Sequence, residues 1–314
     1  MNMMSKNIPT IIITGPTASG KTKLSLELAK NNNGEIINAD IMQMYEGFNI
    51  LKAMPSTEEK LEIKHYLFGV IKKETKFTVA DWIKLAKDKI SEIHEKGKVP
   101  IVVGGSGMYL NAAINGLSEI PEIKKIYRYK AEHCYRTKGF DFILKKLLKI
   151  DNDFKIEIND RQRLIRAYEV YLQTGKSIQW WQNNSISQPI IMTCLKILIS
   201  PPRDELYSYI DKRVDLMIEK GLIDEAKNEK LNIISIDYPS MKAIGIKLLN
   251  QYLNNEISLN YALNLMKQDS RRYAKRQSTW FKNSFSCDIK YNKLYTGDSK
   301  FINKAVKALN LLYT

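Results

Sequence analysis

The sequence predicts an α/β fold, a parallel sheet flanked by helices, with a helical domain inserted between two of its strands. Three observations carry this expectation. Short apolar, β-branched runs (Ile11-Ile12-Ile13-Thr14, Glu35 to Asp40, Lys98 to Val103, Lys196 to Ile199) alternate with segments of helical period, as expected for strands covered on both faces by crossover helices. The first run leads into Gly15-Pro16-Thr17-Ala18-Ser19-Gly20-Lys21-Thr22, a GxxxxGK[ST] match placed between a strand and a helix. That context makes the match a phosphate-binding P-loop. From Ser118 to Gln188 the chain turns basic, aromatic and helical before the strand pattern resumes. Residues 1–117 and 189–314 are therefore assigned to a P-loop NTPase-like core, and 118–188 to a helical insertion.

Each element has its own signal. Lys23 to Lys30 reads as the helix after the P-loop, and the Glu35 strand ends in the carboxylate of Asp40. Thr78 to Lys96 puts Val79, Ile83, Ala86, Ile90 and Ile93 on one face, with Thr78 as N-cap and Gly97 as stop. The Lys98 strand closes on Gly104-Gly105, and Gln182 to Pro189 is polar and reads as a loop. Asp204 to Lys220 is a helix halted by Gly221, and Tyr261 to Phe281 a long basic helix.

Composition narrows the function classes. In 314 residues, Lys and Arg number 49 against 34 Asp and Glu, a net charge of +15. A field of this sign attracts polyanions; a lysine-rich surface from biased composition is the competing reading. Cys134, Cys194 and Cys287 form no CxxC pair, and His65, His94 and His133 lack metal-ligand spacing, so neither a zinc site nor a disulfide framework is expected. His94 reads as a helix-surface residue. Met1 to Thr10 is polar, without the apolar stretch of a signal peptide, and no run approaches the ~20 apolar residues of a membrane span. A soluble, cytoplasmic protein with no membrane partner is the expectation.

The P-loop implies a phosphate or pyrophosphate ligand. Its glycines turn backbone N–H groups toward one point at a helix N-terminus, Lys21 brings an ammonium, and Thr22 a hydroxyl for Mg²⁺. Asp40, at the carboxyl end of its strand, is placed for general-base or metal chemistry, or simply for helix capping. The strand before Gly104-Gly105-Ser106-Gly107 ends in glycines where most ATPases carry a Walker B aspartate, which argues against nucleotide hydrolysis. Gln162, Arg163 and Arg166 share one helical face suited to phosphates or base edges, or to solvent. Ser270 to Phe281 interleaves cations with aromatics, as for stacking on unpaired bases, or as a packing helix in which Tyr273, Trp280 and Phe281 are partly core.

Together these segments resemble the tRNA dimethylallyltransferases. The P-loop GPTASGKT matches the family's word for word. Asn38-Ala39-Asp40 with Gln43 and Tyr45 resembles "ADSRQVY", His65-Tyr66-Leu67 "HHL", Val103 to Leu110 "VGGTGLYL", Gln162-Arg163 with Arg166-Ala167 "QRLxRALEV", and Ala274 to Phe281 "YAKRQxTWF". Ala243-Ile244-Gly245 matches "xxGYKE" loosely, and the order holds from residue 11 to 281.

The resemblance implies transfer of a dimethylallyl group from dimethylallyl diphosphate to N6 of the adenosine 3′ to the anticodon, with Mg²⁺ as cofactor, tRNA gripped by its anticodon stem-loop, and a monomeric enzyme. It implies Asp40 and Thr17 as catalytic residues. The diphosphate falls to Gly15, Pro16, Thr17, Ala18, Ser19, Gly20, Lys21, Thr22 and Arg213, and the metal to Thr22. Contacts with tRNA fall to Asp40, Ile41, Met42, Gln43 and Ser106, to Arg128 and Gln162, Arg163, Leu164, Ile165 and Arg166 in the insertion, and to Arg272, Lys275, Arg276, Gln277 and Trp280 near the end. Two departures stand out. Ile41-Met42 replaces the family's Ser-Arg, and Leu51 to Ser56 displaces the lysine of "GTAKPS". Competing readings are an ATP-dependent small-molecule P-loop kinase, a transferase acting on free adenine nucleotides, and a catalytically weak RNA-binding member of the family.

Overall fold

The β-branched run at the head of the chain forms strand β1 (Thr10–Thr14), buried along its whole length. Helix α1 (Lys21–Asn31) follows the P-loop, then β2 (Gly34–Asn38), the single turn α2 (Ile41–Met44), α3 (Thr57–Glu62) and the short β3 (His65–Tyr66). Next come α4 (Val79–Glu95), β4 (Val99–Gly104), α5 (Gly107–Asn115), α6 (Lys125–Leu148), α7 (Arg161–Thr174) and α8 (Ile178–Asn184). The chain continues as β5 (Cys194–Ile199), α9 (Arg203–Glu219), α10 (Leu222–Asn228), a 3₁₀ turn at Pro239–Lys242, α11 (Ile246–Leu253), α12 (Leu259–Ser284), β6 (Ile289–Tyr291) and α13 (Ser299–Asn310). This computed structural model describes residues 8–157, 160–231 and 235–313. The first seven residues of the polar N-terminal stretch lie outside that range.

The strands pair in the order β3-β2-β4-β1-β5-β6, all parallel. β2, β3 and β4 lie on one side of β1, and β5 and β6 on the other. Thr14 is level with both Gly104 and Leu198, and Asn38 with Val103. The carboxyl ends of β1, β2 and β4 therefore open at one edge, where ligands of open α/β sheets bind. Side-chain alternation divides the core: Ile11 and Ile13 point to the face covered by α1 and α13, Ile12 to the face covered by α4 and α5. A third cluster gathers Phe48, Leu51, Met217, Leu222, Ile246 and Met266 beneath α9–α12. Among the described residues no helix is long and apolar enough to cross a membrane.

The Thr78 start of α4 is a capping box, in which Thr78 Oγ1 accepts from Asp81 N and Asp81 Oδ2 from Thr78 N. The part of the Gln182–Pro189 stretch read as loop that runs from Gln182 to Asn184 is instead helical: Ser177 accepts from Trp180 N and starts α8 ahead of it. The expected carboxyl end of the Glu35 strand is shorter than read, since pairing stops at Asn38 and Asp40 caps α2. His94 is half-buried, not on the surface, and burial lowers its pKa.

Residues up to Ile114 with those from Ile190 onward form one compact unit; Asn115–Pro189 forms a second. The second has its own core of Ala131, Ile143, Leu147, Leu164 and Ile165 between α6 and α7, and α6 bends at Gly139, whose φ is 80°.

Trp82 anchors the carboxyl end of β2. It is fully buried, and its indole Nε1 donates to the Asn38 carbonyl at 2.8 Å, two residues before Asp40. Trp82→Ala is expected to lower unfolding free energy by about 3–5 kcal/mol, read from urea denaturation.

Candidate active site

Thr17 is held from two sides. Its backbone N–H donates to Gln277 Oε1 at 2.8 Å, and its hydroxyl accepts from Arg213 Nη1 at 3.2 Å. Gln277, on α12, also donates from Nε2 to the Gly105 carbonyl at 2.9 Å. One buried amide thus joins the P-loop to the turn after β4. A Cβ on Gly105 would stand 2.3 Å from Gln277 Nε2, so this approach requires glycine. Lys21 Nζ donates to the carbonyls of Gly15 at 3.0 Å and Pro16 at 2.8 Å.

Asp40 enters by the end of β2. Asn38 accepts from Asp40 N at 2.8 Å and donates to Asp40 O at 2.9 Å, while Asp40 Oδ1 caps α2 through Met42 N at 3.0 Å. Capping uses one carboxylate oxygen, so the capping and the catalytic readings of Asp40 are compatible. Its charge is felt by its neighbours. Burial pushes the Lys21 ammonium down to about 8, with Arg213 adding to the fall and Asp40 opposing it. Burial also lowers Arg213, which Asp40 again opposes. The Tyr273 phenol is raised, chiefly by burial and then by Asp40.

These groups face a cavity of about 390 Å³. Thr17, Asp40, Arg213 and Tyr273 supply polar groups, and Leu51, Val214, Met217 and Met266 an apolar wall. Ile41, Met42 and Gln43 also line it, as do Ala18 and Arg276. Gln43 is fixed there by donating from Nε2 to the carbonyls of Lys52 and Ala53, both at 2.9 Å. The loop supplying Leu51 and Lys52 is clamped to α10: Glu225 accepts from Ile50 N and Leu51 N, and Glu229 from Phe48 N. Lys52 Nζ donates to the carbonyls of Tyr45 and Glu46, and burial lowers its pKa to about 8.

The structure therefore brings Thr17, Ala18, Asp40, Ile41, Met42, Gln43, Arg213 and Arg276 to one cavity. Gly15, Pro16, Ser19, Gly20, Lys21 and Thr22 complete the P-loop beside it, and Ser106 follows Gly105 at the end of β4. Arg272 and Lys275 lie exposed on α12.

Two expectations for nucleic-acid contact are corrected, that for Gln277 and that for Leu164 and Ile165; Trp280 stays partly exposed. Gln277 is buried with both ends of its amide on backbone, so it positions the P-loop and offers nothing to an RNA. Trp280 packs on Gly107, where its ring fills the space of a Cβ, and edge-on against Phe281. Leu164 and Ile165 are core residues of the second unit. In that unit Gln162 and Arg163 are exposed, while Arg128 and Arg166 pair with the buried Glu169 at 3.4 and 2.8 Å.

Sequence reasoning missed Lys52, Lys242, Ser270 and the methionines of the cavity wall. For Met217, Met266 and Ser270 the only sequence signal is helical spacing with Ile210, Arg213 and Val214 on α9 and Tyr273 on α12, and Lys52 and Lys242, in a loop and a 3₁₀ turn, carry none. Taken alone that spacing describes an ordinary packing face.

The IPP transferase family matches residues 43–284, a stretch that begins just after Asp40. The chain is 42% identical over 291 residues to a tRNA dimethylallyltransferase of Rickettsia rickettsii (strain Sheila Smith), covering 92% of this chain and 80% of the relative. It is 40% identical over 313 residues to the Halothermothrix orenii enzyme of the same name, covering 98% and 94%. The solved tRNA isopentenylpyrophosphate transferase of Bacillus halodurans is 37% identical, with a TM-score of 0.68 over 97% of this chain and 95% of that one. A eukaryotic dimethylallyltransferase solved acting on tRNA is 27% identical, with a TM-score of 0.82 over 96% of this chain and 78% of that one.

Two outcomes are expected for binding of inorganic pyrophosphate. Gln277→Met removes both staple bonds and should weaken it about tenfold, the scale of leaving buried backbone groups unpaired, by calorimetry. Lys21 titrates near 8 in the free protein, so binding should take up a proton above pH 8 and affinity should fall as pH rises through that range. Calorimetry in buffers of different ionisation enthalpy reads the uptake. The sign for stability is opposite: the unfolded lysine keeps its proton up to its ordinary value of 10.5 while the folded one sheds it near 8, so the cost of burying the charged lysine fades and the fold gains stability as pH rises from about 8 to 10.5.

Proposed function

The chain belongs to the IPP transferase family, and on that premise we propose that it transfers a dimethylallyl group from dimethylallyl diphosphate to N6 of the adenosine 3′ to the anticodon of tRNA. The observation that carries this reading is the cavity itself. It sets a P-loop threonine, a half-buried arginine and a carboxylate against an apolar wall, which matches a ligand that is diphosphate at one end and hydrocarbon at the other.

The diphosphate lies on the P-loop, with the α1 N-terminus, Lys21 and Arg213 as its positive partners. Placing the anion there restores the full charge of Lys21 that burial has weakened. The flipped base presents its exocyclic amine to Asp40, and the N6 lone pair forms the bond to C1 of the allyl group. The C1–O bond breaks and its electrons leave with pyrophosphate, whose growing charge the preorganised N–H groups, Lys21 and Arg213 stabilise. Asp40 takes the N6 proton, which turns acidic only as nitrogen is alkylated. Thr17, held by Gln277 and Arg213, fixes the loop edge nearest this exchange.

Mg²⁺ fits this donor set. Thr22 is exposed at the first turn of α1, and the described residues hold no cluster of three metal-ligating side chains. This suits an ion that keeps several waters and binds largely through substrate phosphates. Thr22 would hold it, and when bound it neutralises charge on the departing diphosphate.

Extruding a base costs a few kcal/mol, least in a single-stranded loop, which suits the anticodon. Arg128, Gln162, Arg163 and Arg166 in the helical unit, and Arg272, Lys275 and Arg276 on α12, are assigned to the anticodon stem-loop. The enzyme works as a cytoplasmic monomer on this reading.

The test is mass spectrometry of nucleosides from unmodified tRNA incubated with the protein, dimethylallyl diphosphate and Mg²⁺, with ATP as the parallel donor. Dimethylallyl-adenosine formed without ATP is the expected result; phosphate transfer or hydrolysis from ATP with no prenyl product would overturn it. Asp40→Ala should slow the single-turnover step by roughly 10²–10⁴-fold with tRNA affinity nearly unchanged. Lost affinity with an unchanged single-turnover rate would remove Asp40 from the role of base.

A further inference from the structure

At its apolar end the cavity abuts buried side chains. Helices α9 and α12 line it in antiparallel register: Arg271 Nη1 donates to both Asp211 carboxylate oxygens at 2.5 and 2.6 Å, and Lys267 pairs with Asp215 at 2.6 Å. Four residues forward on α9 thus correspond to four back on α12. The phosphate end is marked by Arg213, which reaches Thr17. Moving away from it, the cavity meets Val214 and Met217 on α9, and Tyr273, Ser270 and Met266 on α12. Met217 lies ~6 Å of helix rise beyond Arg213, and Met266 ~10 Å beyond Tyr273.

That far end is part of a packed core. Leu51, Met217 and Met266 are 7%, 8% and 2% exposed and belong to the cluster beneath α9–α12. Met266 has no room to withdraw, because a Cβ on Gly245 would stand 2.6 Å from its methyl group and 3.1 Å from Leu51. An adenine joined to an RNA backbone cannot enter through these buried side chains; it must come from another side. Leu51, Met217 and Met266 themselves offer no partner for the polar edge of a base. Hydrocarbon needs none, so this apolar end is left to the tail of the prenyl donor.

From this we infer that Met217 and Met266 set the length limit of the donor, admitting one isoprene unit and excluding two. The inference rests on the reading of the site as a prenyltransferase and adds its donor specificity. Four residues of helix, ~6 Å, hold the single unit of a dimethylallyl tail, and the second unit of a geranyl tail would run into the methionine side chains. Methionine suits this limit, since its unbranched thioether fills an irregular end without a fixed shape, and its truncation to alanine shortens the obstacle without adding a polar group.

The experiment compares dimethylallyl and geranyl diphosphate as donors for wild type, Met217→Ala and, separately, Met266→Ala. The readout is the ratio of geranyl- to dimethylallyl-adenosine in tRNA nucleosides under competition, a ratio independent of the fraction of each variant that is folded. Calorimetric affinity for each diphosphate without tRNA is measured alongside. Wild type is expected to discriminate strongly against the ten-carbon donor, and at least one variant to raise the ratio about tenfold or more, the scale on which a hydrophobic pocket separates homologous chains. Comparable transfer of both donors by wild type, or an unchanged ratio in both variants, overturns the length limit while leaving prenyl transfer standing. Discrimination in binding that both variants relax, with no prenyl product from either donor, keeps the limit and overturns the reaction.

Discussion

Everything at the active edge of this molecule depends on Thr17 being held still. Its N–H is occupied by Gln277 and its hydroxyl by Arg213, two residues that enter from α12 and α9. A glycine-rich loop has more conformational freedom to lose than any other segment of its length, and backbone N–H groups serve an anion well only when already aimed. Here the aim is imposed from outside the loop. Because Gln277 also binds the Gly105 carbonyl, the ends of β1 and β4 and the middle of α12 are fixed to one another by a single side chain. The salt bridges from Arg271 and Lys267 to Asp211 and Asp215 extend the same register to α9.

On the other side of the cavity the polarity of the holding groups is reversed. The loop from Phe48 to Leu51 gives its N–H groups to Glu225 and Glu229, while the Lys52 ammonium caps the carbonyls of Tyr45 and Glu46. The loop carries no regular structure, and its backbone polar groups still find charged partners, as buried groups must. The departure of residues 51–56 from the family's pattern thus begins at a residue held by a carboxylate far along the chain, and Lys52 and Ala53 are held in turn by Gln43.

Some of this was legible in the sequence and some was not, for physical reasons. The P-loop and the strand before it were readable because motif and context are contiguous. The start of α4 was readable because Thr78 followed by Asp81 is a local capping signal. The edge strands β3 and β6 carry two and three residues, too few to show a period, and exist because a neighbouring strand templates them. Gln277 is assigned to RNA because the family motif runs through it, yet on a helix its basic neighbours point elsewhere, and burial decides its partners. The methionines lining the cavity could not be told from core, since they belong to both. Ordered motifs pointed to the family, while the division of labour inside each motif became visible only with side chains in place.

In the helical unit, the buried carboxylate of Glu169 lies between Arg128 and Arg166. The rotamer entropy of both arginines has been spent during folding. A phosphate arriving there displaces nothing rigid and orders nothing new; it exchanges with, or adds to, an anion already built into the helix. Such a pair discriminates by the spacing of its two cations more than by their charge. Added salt competes weakly with a carboxylate that cannot diffuse away, so the spacing of the two guanidinium groups is kept at high ionic strength.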